Sequence, residues 1–381
     1  MQAVRNSGLP STDYYAPDFR VEVEGQELDP ESQGDVLELK VSMDMENMAS
    51  FDMTINNWDD KTVAFKYSDG DLFDVGNRVH VMMGYAGNLL SMVSGEISSV
   101  TPKFPETGPS SLTVGGLDGL FKLRDKKAAD GDITKFTKMA DWQIAEYIAQ
   151  INGLKSKVTR EGQVHNEVVL KNQDYATFLM ERAKRIDFDC FVLTDPDSGE
   201  ATLHFVKPSD GRDSSRIRVY QFRWGESLIN FMPTINLSRQ VAKVTVRGWD
   251  DRTKQAIVAT AGPEDLPGAG KSSGGKSGPE AAAANPSSKK EVVVDAPVNS
   301  EQEAKDLAVS LLTERAYEFI TGTGTVIGLP DLRHGDNIEL LGIGKRFDGT
   351  YYVKKVDHMI NNSGYKTQFE VRRIYDGGTK K

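Results

Sequence analysis

"LRHGDNIELLGIGKRFDGTYYVKKVDHMI", from Leu332 to Ile360, decides how the rest of the chain is read. A Gly followed by Asp opens a run in which Ile338 and Leu340 alternate with polar residues, and the chain then turns and restarts at Gly349. Far upstream, "LFDVGNRVHVMMGYAGNLLSMVSGEISSV" (Leu72 to Val100) follows the same plan: Gly76-Asn77, then Val79, Val81 and Met83, then a restart at Gly95. From the first Gly the apolar positions at +3 and +5 coincide, and a further strand begins about 17 residues after the second Gly, at Leu112 or Thr367. With Gly95 and Gly349 aligned, the connection is five residues shorter in the second copy. Alternation with period two marks strands with one buried and one wet face. The echo implies one β-unit used twice.

Working outward, "VLELKVSMD" puts Leu37, Leu39, Val41 and Met43 on one face and Glu38, Lys40, Ser42 and Asp44 on the other. "FDMTINNWD" sets Phe51, Met53 and Ile55 against Asp52, Thr54 and Asn56. The closing "YKTQFEVRR" sets Thr367, Phe369 and Val371 against Gln368, Glu370 and Arg372. Between these β-regions the texture changes. "ADWQIAEYIAQINGL" carries Trp142, Ala145, Ile148 and Ala149 at helical spacing, with Asp141 placed to cap. "NQDYATFLMERAKRIDF" does likewise with Tyr175, Phe178, Leu179, Arg182 and Ile186. "DCFVLTDPDSGEATLHFVKP" is a hairpin whose turn is Asp195-Pro196-Asp197-Ser198-Gly199. "VAKVTVRGWD" returns to strand.

Residues 262–290 hold almost no large apolar side chain and cannot offset their ordering entropy, so this reading makes them a disordered linker. Order resumes at a helix in which Ser300 and Glu303 form a capping-box pattern and Ala304, Leu307, Ala308 and Leu311 share a face. The expected fold is mainly β with α+β character: two tube-like antiparallel β-barrel domains, a small α/β insert domain and a capped helix. The boundaries are 1–125 for the first tube-like domain and 126–215 for the insert. Residues 216–261 and 291–381 make the second tube-like domain, with 262–290 inserted in it.

Composition excludes several function classes. The 381 residues are 38% hydrophobic and 27% charged, with no run approaching the roughly 18 apolar residues of a membrane span. No apolar stretch near the N-terminus suggests a secretory signal. A net charge of −10 argues against general nucleic-acid binding. The single Cys190, within the apolar "FDCFVL", excludes an intrachain disulfide and a multi-cysteine metal site. His80, His165, His204, His334 and His358 are scattered without metal-ligand spacing. No pair of carboxylates stands out for acid–base work.

Two catalytic patterns fall in the linker and are set aside. "GKSSGGKS", Gly270 to Ser277, fits the phosphate-loop pattern, but that chemistry needs a strand feeding the loop and a helix opening at the Lys-Ser. Gly278-Pro279 follows the Ser, and the nearest strand candidate lies beyond Pro263 and Pro267. "GKSSG", Gly270 to Gly274, fits a nucleophile elbow and lacks the same strand-to-helix turn. No catalytic residue, cofactor or metal is assigned.

"FDVGNRVHVMMGY" followed by "SGEISSVTPKF" resembles the N-terminal tube-like domain of the phage late control D family. That family contains baseplate hub proteins of contractile tails and is related to the N-terminal part of the type VI secretion spike protein (valine-glycine repeat protein G). "NQDYATFLMERAKRIDFDCFV" is similar to the family's middle domain. The segment from Leu332 to Arg373 is similar to its closing domain, with Gly349, Tyr351, Val353, His358, Gly364 and Tyr365 as the pattern. The resemblance implies a non-enzymatic hub: a homotrimer whose paired β-domains form a pseudo-sixfold ring, adapting a sixfold tail tube to a threefold spike. Its implied partners are further copies of itself, a separate spike protein, the tail tube or a tube-initiator protein, and baseplate wedge components. It implies assembly in the bacterial cytoplasm and a place in the baseplate of a virion tail or phage-tail-like particle. A tail-associated peptidoglycan hydrolase is the alternative. The wet faces of the strands supply the candidate channel or interface residues: Glu38, Lys40, Asp44, Asp52, Gln368, Glu370 and Arg372. An acidic lining there would repel phosphate-bearing cargo over roughly a Debye length of 8 Å.

Overall fold

Both quoted stretches fold as antiparallel meanders within one 14-stranded sheet. The computed structural model describes residues 5–6, 16–118, 123–124, 134–195, 200–208, 219–250, 253–267, 275–284, 290–294 and 297–377. The expected turn residues 196–199, most of the phosphate-loop pattern and the expected domain boundaries at 125/126 and 215/216 lie wholly or partly outside the described residues.

The first β-unit comprises β1 (Pro17–Val23), β2 (Val36–Asp44), β3 (Ser50–Asn56), β4 (Arg78–Tyr85), β5 (Asn88–Lys103) and β6 (Ser111–Asp118). Its spatial order is β2-β3-β6-β5-β4-β1. The apolar alternation buries Leu39, Val41, Met43, Phe51, Met53 and Ile55 against Val79, Val81 and Met83. Leu37 breaks the expected pattern. Val36 faces Ile55 and Glu38 faces Thr54, so Leu37 is the extra residue of a β-bulge and is 42% exposed.

The insert follows, with β7 (Lys135–Ala140), α1 (Asp141–Ile151), β8 (Lys155–Val158), β9 (Val164–Val169), α2 (Tyr175–Arg185), β10 (Asp189–Thr194) and β11 (Ala201–Val206). β7 pairs with β9, while β11 lies between β8 and β10. Phe136, Ile144, Ile148, Leu179, Leu203 and Phe205 fill the space between these sheets and the helices. Asp174 caps α2, accepting from Thr177 N at 2.7 Å. Asp141 does not cap α1: Ala140 holds the cap position, and Gln143 accepts from its N–H at 2.9 Å.

The second β-unit comprises β12 (Val219–Arg223) and β13 (Leu228–Ile235), then four further strands after an excursion. The excursion carries β14 (Lys243–Asp250), β15 (Gln255–Ala261), α3 (Gly278–Ala283), β16 (Lys290–Val293) and α4 (Glu301–Tyr317). β14, β15 and β16 make a separate three-stranded sheet packed on α4 through Val244, Val246, Ala304, Leu307, Ala308 and Leu312. Ser300 caps α4, but Glu303 reaches back to Asn299 N at 2.9 Å rather than to Ser300. Leu312 is fully buried where Leu311 was expected.

The remaining strands are β17 (Ile320–Ile327), β18 (Asn337–Leu341), β19 (Gly349–Asn361) and β20 (Gly364–Arg373). The spatial order is β13-β17-β20-β19-β18, with β12 parallel to β18. Taken in chain order, the five antiparallel strands of this unit repeat the arrangement β2-β3-β6-β5-β4 of the first.

The repeat extends to single hydrogen bonds. Gly76 N donates to Ile97 O at 2.8 Å and Ile97 N to Asn77 O at 2.9 Å; Gly335 N donates to Val353 O and Val353 N to Asp336 O, both at 2.9 Å. Both glycines are left-handed, at φ +96° and +84°, a conformation that favours Gly. Ile97 therefore matches Val353, and Gly95 matches Tyr351 rather than Gly349. The span is 21 residues from Gly76 to Ile97 and 18 from Gly335 to Val353, so the second copy is three residues shorter, not five. One residue further on, Ser98 and Lys354 are each the extra residue of a bulge against β6 and β20. Ile229 in β13 is likewise the bulge counterpart of Leu37 in β2. Bulges are specified features of a backbone, and two of them recur at matching positions.

The stretch expected to be a disordered linker is partly built. Ser277 is fully buried and caps α3, accepting from Glu280 N at 3.2 Å while Glu280 accepts from Ser277 N at 2.7 Å. A bridge joins Ser277 to Tyr375. This turn buries few large side chains and is held instead by caps and by backbone contact: a Cβ on Gly275 would lie 1.9 Å from Asp376 O. Among the described residues no helix is long and apolar enough to cross a membrane.

Candidate assembly interface

β19 is shared by both β-units. Its first residues pair with β18, and along the same edge Lys355 to Asn361 pair with Asp44 to Glu38 of β2. Met45 N continues this ladder by donating to Lys354 O at 3.2 Å. On the outer face of the seam, Asp357 accepts from Ser42 Oγ at 2.6 Å and lies 3.5 Å from Lys40 Nζ and 3.6 Å from Lys355 Nζ. On the core face, His358 is fully buried: it bonds Leu332 O at 3.0 Å through Nε2, and Tyr365 and Thr367 at 2.9 and 3.1 Å through Nδ1. The carbonyl makes Nε2 the donor, and burial pushes the pKa of the ring down to about 3. Two further ties cross between units: Tyr85 Oη donates to Gly328 O at 2.8 Å, and Arg333 Nη2 to Ser91 O at 3.1 Å.

The expected channel or interface residues largely share one face. Directly opposed residues in a sheet project to the same side. Asp52 opposes Lys40, Asp44 opposes Lys355, Lys355 opposes Glu370, and Gln368 opposes Asp357. Glu38 opposes Asn361, whose amide reaches it at 3.4 Å. Arg372 stands apart from this open surface. Its guanidinium lies 4.4 Å from the Tyr317 ring of α4 and 3.9 Å from Asp189, so a helix covers that end of the strand. Lys355 and Asp357 belong to the face and were missed, because the bulge at Lys354 shifts the alternation by one. The doublet Lys354-Lys355 inside an otherwise alternating run was the available signal. Lys40 and Lys355 pair with Asp357, so the face carries both signs of charge, with Glu38, Asp44, Asp52 and Glu370 adding further carboxylates.

The other chemistry-bearing groups are structural in their contacts. Asp141, almost fully buried, meets His165 Nε2 at 3.0 Å and Arg182 Nε at 2.6 Å. Burial alone would raise its pKa, but these two hydrogen bonds together with the charges of the same partners outweigh it and hold the carboxyl low. Phe191 lies between His204, stacked at 5.0 Å, and His334, edge-on at 4.6 Å. Burial lowers both pKa values, to about 4 and about 3. His80 contacts Ser91 Oγ and, at 3.4 Å, Glu22. Burial pushes the Cys190 thiol up to about 12, the opposite of an activated nucleophile. At the Lys276-Ser277 pair a helix does open, contrary to expectation. Two of its amides are taken by carboxylates, Lys276 N by Asp376 at 2.7 Å and Ser277 N by Glu280, so neither is free for a phosphate. Among the described residues no group of three or more His, Cys, Asp or Glu could hold a metal ion.

A family model described as the Alg8 N-terminal domain matches residues 15–362. No curated protein matches the chain in sequence. Solved structures share its fold at low identity. The 43 kDa tail protein of prophage MuSo2 from Shewanella oneidensis superposes with a TM-score of 0.70 at 13% identity, over 94% of this chain and 98% of that one. The tail protein from Neisseria meningitidis MC58 gives 0.68 at 14% identity, over 94% and 97%. An Escherichia coli component of the type VI secretion system gives 0.56 at 10% identity, over 92% and 76%.

Proposed function

This chain belongs to the Alg8 N-terminal domain family, and from its fold, shared with phage tail proteins, we propose that it is a structural baseplate hub of a contractile tail or injection particle. Three copies form a ring, each supplying two tube-like β-units, and the ring joins a sixfold tail tube to a threefold spike. The observation that carries this reading is the repeat: two units of one strand order, with matching glycine turns and matching bulges. A threefold object needs such a duplication in order to present six similar surfaces. Part of the polar face around Lys40, Asp52, Asp357 and Glu370 lines the channel. Lys40, Lys355, Asp357 and Glu370 meet one another there, which leaves fewer charges free to bind cargo.

The partners in this reading are a separate spike protein, the tail tube or its initiator, and wedge components, joined during assembly in the bacterial cytoplasm. The role is non-enzymatic. Light scattering of the purified chain, alone and with its spike, tests it: a threefold mass in either condition is expected, and a monomer or dimer in both would overturn it. A clearing zone on peptidoglycan zymograms would move the assignment to the hydrolase.

A further inference from the structure

The internal seam has an open counterpart at each end of the chain's sheet. β5 pairs with β4 only as far as Glu96, so its outer edge from Ser99 to Lys103 has no strand beside it among the described residues. Among the described residues, β13 pairs along its length with β17, apart from an isolated bridge of Leu228 to Trp224, and no strand lies on its other edge. In the repeat, β5 corresponds to β19 and β13 to β2. The two unpaired edges are therefore the counterparts of the two edges that β19 and β2 join within the chain.

We infer that these edges join between two copies of this chain, β5 of one against β13 of the next, antiparallel, with Thr101 opposite Thr234 and Pro102 opposite Pro233. The register is that of the internal seam, carried over position by position: Asp357 to Thr101, His358 to Pro102, Ser42 to Thr234 and Val41 to Pro233. The inference rests on reading the chain as a ring-forming hub.

Four observations support it. The first is the position of the prolines. Asn236 N donates to Phe319 O, toward β17, so strand alternation turns the nitrogens of Ile235, Pro233 and Phe231 to the open edge. Pro102, as the counterpart of His358, faces its own open edge. Proline in a sheet belongs at edges, with its missing N–H outward. Opposed to each other, the two prolines confine the two missing N–H donors to one reciprocal pair; a slip of two residues would lose the same two donors from two pairs, so this register leaves more rungs of the ladder complete.

Second, the side chains change together. In the closed seam Lys40 opposes Met359; in the open one Met232 opposes Lys103, the same two residue types exchanged. Third, the ion pair of Lys40 with Asp357 is replaced by Met232 and Thr101, so both charges vanish at once. The Ser42–Asp357 hydrogen bond becomes a Thr234–Thr101 pair, a favourable cross-strand match. Fourth, both edges expose apolar surface: Met232 is 69% and Phe104 62% exposed, with Phe65 5.2 Å from Phe104. One rung beyond the end of β5, Phe104 meets Phe231 as Ile360 meets Leu39. A head-to-tail contact of this kind closes a ring when its rotation permits.

Crosslinking tests the seam. Chains bearing Thr101→Cys are mixed with tagged chains bearing Thr234→Cys under mild oxidation, so that a mixed disulfide can form only between copies. A non-hydrogen-bonded antiparallel pair, about 4.5 Å apart at Cα, suits a disulfide. Both threonines are exposed, and Cys190 is buried in every sample. The expected result is a covalent dimer at least tenfold more abundant than with Met232→Cys, two residues out of register. A threefold mass without the Thr101–Thr234 crosslink would overturn the seam and leave the hub reading standing. A preferred crosslink to Met232→Cys would overturn the register. A chain that stays monomeric with and without its spike would overturn both.

Discussion

Ser42 Oγ donates to Asp357 across 2.6 Å, joining two residues 315 positions apart. The bond lies on the one strand edge where the two β-units of the chain meet. The account expects it to be coupled energetically, since Asp357 also faces Lys40 and Lys355. Asp357→Ala should lower unfolding stability by about 1–3 kcal/mol, because a hydrogen bond to a charged group is removed and two lysines lose their partner. In a double-mutant cycle with Ser42→Ala, read from denaturant midpoints, the coupling should be on the order of 1 kcal/mol. Additive losses would remove this bond from the seam's stability.

The paired turns make a symmetric prediction. Gly76 and Gly335 hold φ of +96° and +84° in equivalent turns. Alanine at either position should cost roughly 1–2 kcal/mol from the left-handed backbone. Space around each is open or in ordinary contact, so the two costs should agree closely. If one substitution were neutral and the other severe, the equivalence of the turns would fail.

Ser277 and Lys276 should separate cleanly. Ser277→Ala removes a buried cap and should cost about 1 kcal/mol, near the middle of the range for such caps. Lys276→Ala should be close to neutral, because its backbone N–H and carbonyl make the bonds there and alanine keeps both. Adding ATP with magnesium should leave the melting temperature of the unsubstituted protein unchanged; a concentration-dependent rise would restore the nucleotide reading.

Acid should destabilise the fold through its buried histidines. His334, His358 and His204 have pKa values lowered by burial to about 3, 3 and 4, against an ordinary 6.5. Between those limits the unfolded chain binds protons that the folded chain excludes, so stability rises with pH there. The contribution is complete above about pH 6.5 and is lost as pH falls through about 4 and 3. Chemical denaturation from pH 7 to pH 4 should show this slope, and His334→Phe should reduce it. A pH-independent midpoint would mean that these rings do not resist protonation.

Much of the β architecture was legible in the sequence. Period-two runs placed the core residues of β2, β3 and β20, and the echoed Gly turns pointed to the repeated unit. The bulges were not legible. Leu37 was assigned to the core and is exposed, while Lys355 and Asp357 were left off the polar face, because one extra residue reverses the alternation without a reliable mark in composition. Arg372 kept the period of its strand, but α4 covers it, and a packing partner far along the chain cannot be read from spacing. The Ser277 turn was missed for a third reason: caps and close backbone contacts order small residues that have little surface to bury.

Single-particle cryo-EM of the purified chain with its spike tests whether three copies close a ring. The expected particle is a ring of three chains around an open channel, with six β-units alternating at close to equal angles and a continuous ladder across every join. Particles containing one chain, or a ring in which the two units of each chain occupy unlike radial positions, would contradict it.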